Sequence, residues 1–142
     1  MRKYICLLLF FLVLFLGGCG RNDKMKDGFY TAEMSDYSHG WKEYLCIMVK
    51  DGIIVYAEFN AKNQSGYIKA WDNAYMQNMV SVSGTYPNEY TRNYVAQLIE
   101  VQNPKNIDAI SGASNSGSNF IKLATAVINQ AIEGDAATIV VK

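Results

Sequence analysis

The chain has 142 residues, enough for one domain, and half of them are hydrophobic. Its 13 basic and 13 acidic residues balance, and no basic stripe interleaved with aromatic residues indicates a nucleic-acid-binding protein. The three cysteines and the single histidine do not have metal-ligand spacing. Any redox chemistry would therefore need an organic cofactor.

The N-terminal segment is typical of a bacterial lipoprotein precursor. Two basic residues precede an apolar run over residues 4–16, which is too short to span a bilayer comfortably and fits a signal-peptide core. The run ends in Leu16-Gly17-Gly18-Cys19, which resembles a lipobox. We therefore predict a signal peptide over residues 1–18 and a tether over residues 19–27, lipidated at Cys19. An ordinary secretory peptide with a chance cysteine is the alternative.

Processing at this point would define the mature protein and its location. It would leave 11 basic and 13 acidic residues, a net charge near −2. Cys46 would then have no partner for an internal disulfide, and we expect it to be a small buried hydrophobic residue rather than a reactive thiol. The lipid anchor would hold the protein on the extracytoplasmic face of the cell membrane.

The first half of the remaining chain predicts β-strands over residues 29–34, 41–49 and 53–59. Asp51-Gly52 is a strong signal for a two-residue hairpin turn between the last two strands. Strict alternation from this turn gives two largely apolar faces. One face would hold Leu45, Ile47, Val49, Ile54 and Tyr56, and the other Cys46, Met48, Val55, Ala57 and Phe59.

Helical periodicity dominates the second half. It predicts helices over residues 67–80, from Pro87 to Asn103-Pro104, and after residue 114 to a C-cap at Gly134, with a closing strand over residues 138–141. Strands followed by helices indicate an α+β fold, with a small antiparallel sheet packed with helices in one domain over residues 28–142.

A hydroxyl-rich loop enters the last of these helices. Because the first N–H groups of a helix are unpaired and lie at the positive end of its dipole, this is anion-binding geometry, with the Ser114 hydroxyl at the same point. The alternative is that Ser111, Ser114 or Ser116 merely caps the helix.

The run Asp108-Ala109-Ile110-Ser111-Gly112-Ala113-Ser114 resembles the acceptor motif of the FMN-binding domain family, D-x-x-[ST]-G-A-[ST]. This family includes flavin-carrying subunits of sodium-translocating NADH:quinone oxidoreductases and Rnf complexes, and small bacterial lipoproteins. The resemblance implies that a flavin transferase joins FMN through a phosphoester to Ser114, with the other motif residues forming the cofactor-binding loop. Most members carry threonine at the acceptor, and serine keeps the hydroxyl. The matched loop residues are Asp108, Ser111, Gly112, Ala113 and Ser114.

Three further segments look like segments that recur in single-domain FMN-binding lipoproteins: residues 39–41, 49–54 and 69–75. The flavin ring needs an apolar platform, and aromatic side chains stack well on it. Trp41 is the candidate that we favour, since it follows a glycine in a loop. Other aromatic candidates are Tyr67, Trp71 and Tyr75, but Trp71 and Tyr75 lie on the apolar stripe of the predicted helix, where such residues more often belong to the core.

The leading hypothesis is therefore a membrane-anchored flavoprotein that relays electrons, rather than a stand-alone enzyme. Its partners would be the flavin transferase and membrane redox enzymes, such as a quinone-linked dehydrogenase. A second hypothesis is a non-redox lipoprotein that binds an anionic ligand or a protein. A third is a serine hydrolase using Ser114 or Ser111, for which His39 is the available histidine base and which lacks a G-x-S-x-G elbow.

Overall fold

The computed structural model describes residues 23–142. The predicted signal peptide, the lipidation site Cys19 and the first part of the tether lie outside the described residues. Within residues 23–142, no helix combines the length and the apolar character needed to cross a membrane.

In the described part of the chain, four strands form one sheet: β1 (Gly28–Met34), β2 (Lys42–Lys50), β3 (Ile53–Lys62) and β4 (Ile139–Val141). Their order across the sheet is β3-β2-β1-β4. The pairs β1–β2 and β2–β3 are antiparallel, whereas β4 joins the edge of β1 in parallel. The predicted α+β class is confirmed, and the closing strand makes the sheet mixed.

The hairpin between β2 and β3 contains a β-bulge. Asp51-Gly52 forms the turn as predicted, with positive φ angles of 54° and 81° that suit a type I′ turn. Val49 pairs with Ile54, but Met48 pairs with Tyr56, so one residue of β3 bulges out between these two pairs. Because side chains alternate along a strand, the extra residue exchanges the two faces of β3 beyond it.

The exchange of faces makes part of the predicted register wrong. Ala57 and Phe59 lie on the buried inner face, whereas Tyr56 is 51% exposed on the outer face. Cys46 also lies on the outer face, where it is a free and half-buried cysteine rather than a fully buried one. The sequence prediction assumed strict alternation of side chains, which does not allow for a bulge.

Three α-helices occur within residues 23–142: α1 (Asn73–Ser83), α2 (Pro87–Val101) and α3 (Ser114–Glu133). The predicted α2 and α3 are confirmed, including Pro87 in the first turn of α2. Gly134, with φ of 75°, is the predicted C-cap of α3.

The start of α1 differs from the prediction. The helix begins at Asn73 rather than at Tyr67, because the side chain of Asp72 caps it by accepting a 2.9 Å hydrogen bond from the backbone N–H of Tyr75. The preceding residues form a short 3₁₀ turn, Lys69–Trp71. Trp71 is 66% exposed, so its assignment to an apolar helix stripe was wrong.

A cluster of three aromatic rings joins the sheet to two helices. Phe120 of α3 lies with its ring centroid 4.8 Å from that of Phe59 in β3 and 5.2 Å from that of Tyr94 in α2. All three side chains are buried in the main hydrophobic core. Edge and stacked ring contacts of this kind add to the stabilisation that apolar burial provides.

The start of the described chain packs at the C-terminal end of α3. The backbone N–H of Lys26 donates to the carbonyl of Ala131, and its Nζ atom donates to the carbonyl of Glu133, each at 2.8 Å. Since α3 has 20 residues, it is about 30 Å long. The tether therefore joins the domain far from Ser114, which begins the same helix.

The side chain of Gln102 joins the end of α2 to β3 through two hydrogen bonds. Its Oε1 accepts from the backbone N–H of Ile54 at 2.8 Å, and its Nε2 donates to the Ile54 carbonyl at 2.9 Å. Ile54 is buried, so without Gln102 both of its backbone groups would lose a partner that water cannot easily replace.

We expect Gln102→Ala to lower the free energy of unfolding by roughly 1–3 kcal/mol, the cost of leaving buried polar groups unpaired. Urea denaturation should show a lower midpoint with an unchanged slope. The control is Gln77→Ala on the exposed side of α1, which should stay within about 0.5 kcal/mol of the wild type. Equal effects of the two substitutions would contradict the assigned role of Gln102.

Candidate functional site

A cavity of about 310 Å³ opens where the start of β2, α1 and the N-terminus of α3 meet. Its wall includes Ser114, the predicted acceptor, and Trp41, the predicted ring platform. The structure therefore brings together two residues that are distant in the sequence and that were predicted to serve one cofactor.

The N-terminus of α3 is free of a side-chain cap. Ser114 is the first residue of the helix, and the N-cap is Ala113, which makes no side-chain capping hydrogen bond. The alternative that a serine caps this helix is therefore wrong. The first-turn N–H groups, at the positive end of the helix dipole, remain available beside the exposed Ser114.

The two small residues of the motif serve packing rather than access. Gly112 has a φ of 78°, and a Cβ atom added to it would overlap the backbone carbonyl of Ser83 at the end of α1. Ala113 is buried within the main core. Contact with α1 and with the core therefore explains why both of these motif residues are small.

Two side chains of α2 hold the loop in front of Ser114. Gln97 accepts a 2.7 Å hydrogen bond from the backbone N–H of Asp108, and the Tyr94 hydroxyl accepts one of 3.1 Å from the backbone N–H of Ile110. The loop is thus fixed by its backbone, while the side chain of Asp108 remains exposed.

Asp108 and Ser111 lie outside the wall of the main cavity. Asp108 lines a smaller cavity of about 200 Å³, which also touches Ser114 but is otherwise mainly apolar. Ser111 is an exposed residue of the turn that precedes α3. Both residues therefore belong to the loop but do not contact the main cavity.

The aromatic candidates separate into two pairs. Trp41 is almost fully buried and meets the ring of Tyr75 edge to face, with centroids 6.1 Å apart, and both line the main cavity. Tyr67 and Trp71 pair with each other at 6.5 Å and lie outside it. One pair can therefore contact a ligand in the cavity, and the other cannot.

Polar residues that the sequence reasoning did not single out complete the wall. Lys69 is 8% exposed, and its Nζ atom lies 4.6 Å from the ring centroid of Tyr75. Glu43, also 8% exposed, accepts a 2.7 Å hydrogen bond from the Nδ2 atom of Asn119. A signal for Lys69 was present, since it begins the segment over residues 69–75 that looks like one in the FMN-binding lipoproteins.

Burial and neighbouring charges set the protonation of this wall. Burial raises the pKa of the Tyr90 hydroxyl, so it is neutral near pH 7. Burial opposes the charge of Lys69, but Tyr90, Tyr75 and the Glu43 carboxylate outweigh it and raise the pKa of Lys69 above its ordinary value. The cavity wall therefore carries a buried cation at neutral pH.

His39 lies in the wall without a hydrogen bond to the candidate nucleophile. Its Nδ1 atom is 3.1 Å from the Oγ atom of Ser38, and its side chain is exposed. A hydrolase mechanism needs the base within hydrogen-bonding reach of the Ser114 hydroxyl. The observed partner of His39 does not support that hypothesis.

No family model matches the chain. Among solved structures, the CPE2226 protein from Clostridium perfringens is 39% identical, with a TM-score of 0.79, over 82% of this chain and 97% of that one. A protein from Clostridium thermocellum is 30% identical, with a TM-score of 0.51, over 75% and 92% of the two chains. This chain therefore belongs to the same family as the CPE2226 protein.

The chain is also similar to a curated bacterial lipoprotein. The 15 kDa lipoprotein of Treponema pallidum is 28% identical over 130 residues, which cover 91% of this chain and 92% of that protein. The similarity thus extends over most of both chains and suggests a membrane-anchored lipoprotein.

We expect Gly112→Ala to destabilise the protein more than Gly84→Ala does. Both glycines have positive φ angles, 78° and 71°, so alanine carries a similar backbone cost of roughly 1–2 kcal/mol at each. A Cβ atom at Gly84 meets open space, whereas at Gly112 it overlaps Ser83. The overlap at Gly112 should lower the free energy of unfolding by about 1–3 kcal/mol more than Gly84→Ala does.

Thermal or urea denaturation of both variants provides this comparison. Equal losses for Gly112→Ala and Gly84→Ala would mean that the loop moves away from α1 without cost. That result would remove close packing as the reason for glycine in the motif.

Proposed function

We propose that this protein is a membrane-anchored, extracytoplasmic lipoprotein that carries FMN on Ser114 and relays electrons. The observation that carries the proposal is the exposed Ser114 hydroxyl at an uncapped helix N-terminus, in the wall of a cavity that also holds two aromatic residues. The acceptor-motif resemblance supplies the identity of the cofactor.

The cavity wall suits both parts of FMN. The free N–H groups and the dipole of α3 favour a phosphodiester at Ser114, because that group is anionic. Trp41 and Tyr75 offer aromatic surface for the ring, and Lys69 offers a cation. When bound, FMN would supply reversible electron transfer, and these residues would hold it and exclude water from part of its surface.

A covalent bond suits a carrier outside the cytoplasm. Free FMN would diffuse away, whereas attachment holds it at high effective concentration beside the protein's redox partners. Attachment through the phosphate leaves the redox-active ring unmodified. The proposed partners are the flavin transferase that loads the protein and membrane redox enzymes, such as a quinone-linked dehydrogenase.

The similarity to the 15 kDa lipoprotein supports the membrane anchor, with Cys19 as its site. Because Lys26 packs beside the C-terminal end of α3, the tether enters the domain about 30 Å along this helix from Ser114. The cavity therefore lies at the end of α3 opposite to the point where the tether enters the domain.

We expect the mature protein, purified with its flavin transferase co-expressed, to gain the mass of FMN less one water. Ser114→Ala should lose this mass and the yellow colour completely, because it removes the bonding hydroxyl. Ser114→Thr should keep both. Intact-protein mass spectrometry and visible absorption make the measurement.

Ser118→Ala is the matched control, since Ser118 is an exposed serine one turn further along α3 and lies outside the main cavity. It should be loaded as fully as the wild type. A wild-type protein without flavin mass would sink the electron-carrier proposal. It would favour the second hypothesis, a non-redox lipoprotein that binds an anionic ligand or a protein.

A further inference from the structure

Lys69 is an unusual residue for a cavity wall. Lysine is almost never fully buried unless it is paired, and Lys69 is 8% exposed. It lies in the 3₁₀ turn before α1. Its Nζ atom lies over the face of the Tyr75 ring, 4.6 Å from the centroid, as in a cation–π contact.

The groups around Lys69 hold its charge without fully neutralising it. Tyr75 faces it from α1, Tyr90 from α2 and Glu43 from β2. Glu43 interacts with it electrostatically, but no ion pair within 4.0 Å joins Lys69 to a carboxylate in the described part of the chain. The Glu43 carboxylate instead hydrogen-bonds to Asn119. Part of the field of the ammonium group therefore remains available to a ligand in the cavity.

A purely structural role would not require a cation at this position. Burying an ammonium group carries a large desolvation cost, and apolar residues of similar size often replace buried ions at no loss of stability. Lys69 contacts the ring of Tyr75 and the hydroxyl of Tyr90, and a methionine of similar length can keep the contact with the ring. The charge is thus better explained by something that the cavity binds.

We propose that Lys69 faces the bound flavin ring and raises its reduction potential by stabilising the negative charge that the ring gains. The inference rests on the proposed function above. With a quinol as donor, two electrons and two protons leave the quinol. The flavin takes both electrons and one proton, and the second proton goes to solvent. Reduction therefore adds one net negative charge to the ring, which a nearby cation favours.

The same reasoning assigns the opposite effect to Glu43. Its carboxylate lies in the same cavity wall and opposes negative charge on the ring. Glu43→Gln keeps a side-chain oxygen that can accept the hydrogen bond from Asn119 while removing the charge. The two substitutions should therefore move the reduction potential in opposite directions.

The experiment compares flavin-loaded wild type, Lys69→Met, Lys69→Arg and Glu43→Gln by spectroelectrochemical titration at fixed pH. Intact mass first establishes that each carries one flavin. Lys69→Met should shift the equilibrium at least tenfold toward the oxidised ring, which is about 30 mV for a two-electron couple. Lys69→Arg should stay near the wild type, and Glu43→Gln should shift it the other way.

Lys62→Met is the matched control, because Lys62 is paired with Glu33 at 3.1 Å and lies outside the main cavity. It should leave the potential unchanged. A loaded and folded Lys69→Met protein with the wild-type potential would overturn the role of Lys69 and leave the carrier function standing. If Lys69→Met does not fold, an unchanged potential in Glu43→Gln would overturn the electrostatic proposal. A wild type without flavin mass would overturn both proposals.

Discussion

The packing of Tyr94 determines where the candidate acceptor lies. Its ring stacks on Phe120 of α3, which in turn contacts Phe59 of the sheet, so the three elements share one aromatic centre. Its hydroxyl accepts a hydrogen bond from the backbone N–H of Ile110, in the loop that precedes α3. A Cβ atom added at Gly117 would overlap that hydroxyl, which explains a glycine inside α3 despite its cost of about 1 kcal/mol relative to alanine.

The cavity owes its chemistry to residues at the ends of elements. Trp41 immediately precedes β2, Lys69 lies in the 3₁₀ turn before α1, and Ser114 begins α3. The ends of helices and strands leave polar groups without hydrogen-bond partners, while the adjoining elements keep these groups in place. The site thus combines a rigid scaffold with an unpaired helix terminus and a buried charge.

The sequence was sufficient to predict structural features that are determined by neighbouring residues. The Asp51-Gly52 turn, the first turn of α2 at Pro87 and the C-cap at Gly134 each depend on a few neighbouring residues, and each was predicted correctly. The candidate acceptor loop could be recognised from the sequence because its residues are contiguous. No such signal marks the bulge that turns Tyr56 outward, or the convergence of Glu43 with Lys69, because both depend on contacts between distant parts of the chain.

The absence of a side-chain cap on α3 agrees with the role that we propose for the Ser114 hydroxyl. A serine or threonine at the N-cap would stabilise the helix by about 1 kcal/mol and would occupy one of the free N–H groups. Ala113 takes that position instead, and its side chain is buried in the core. The nearest hydroxyl is displaced by one residue to Ser114, where it is exposed and lies beside unpaired N–H groups. Helix stability is lower as a result, and the same geometry leaves both the Ser114 hydroxyl and the first-turn amides accessible.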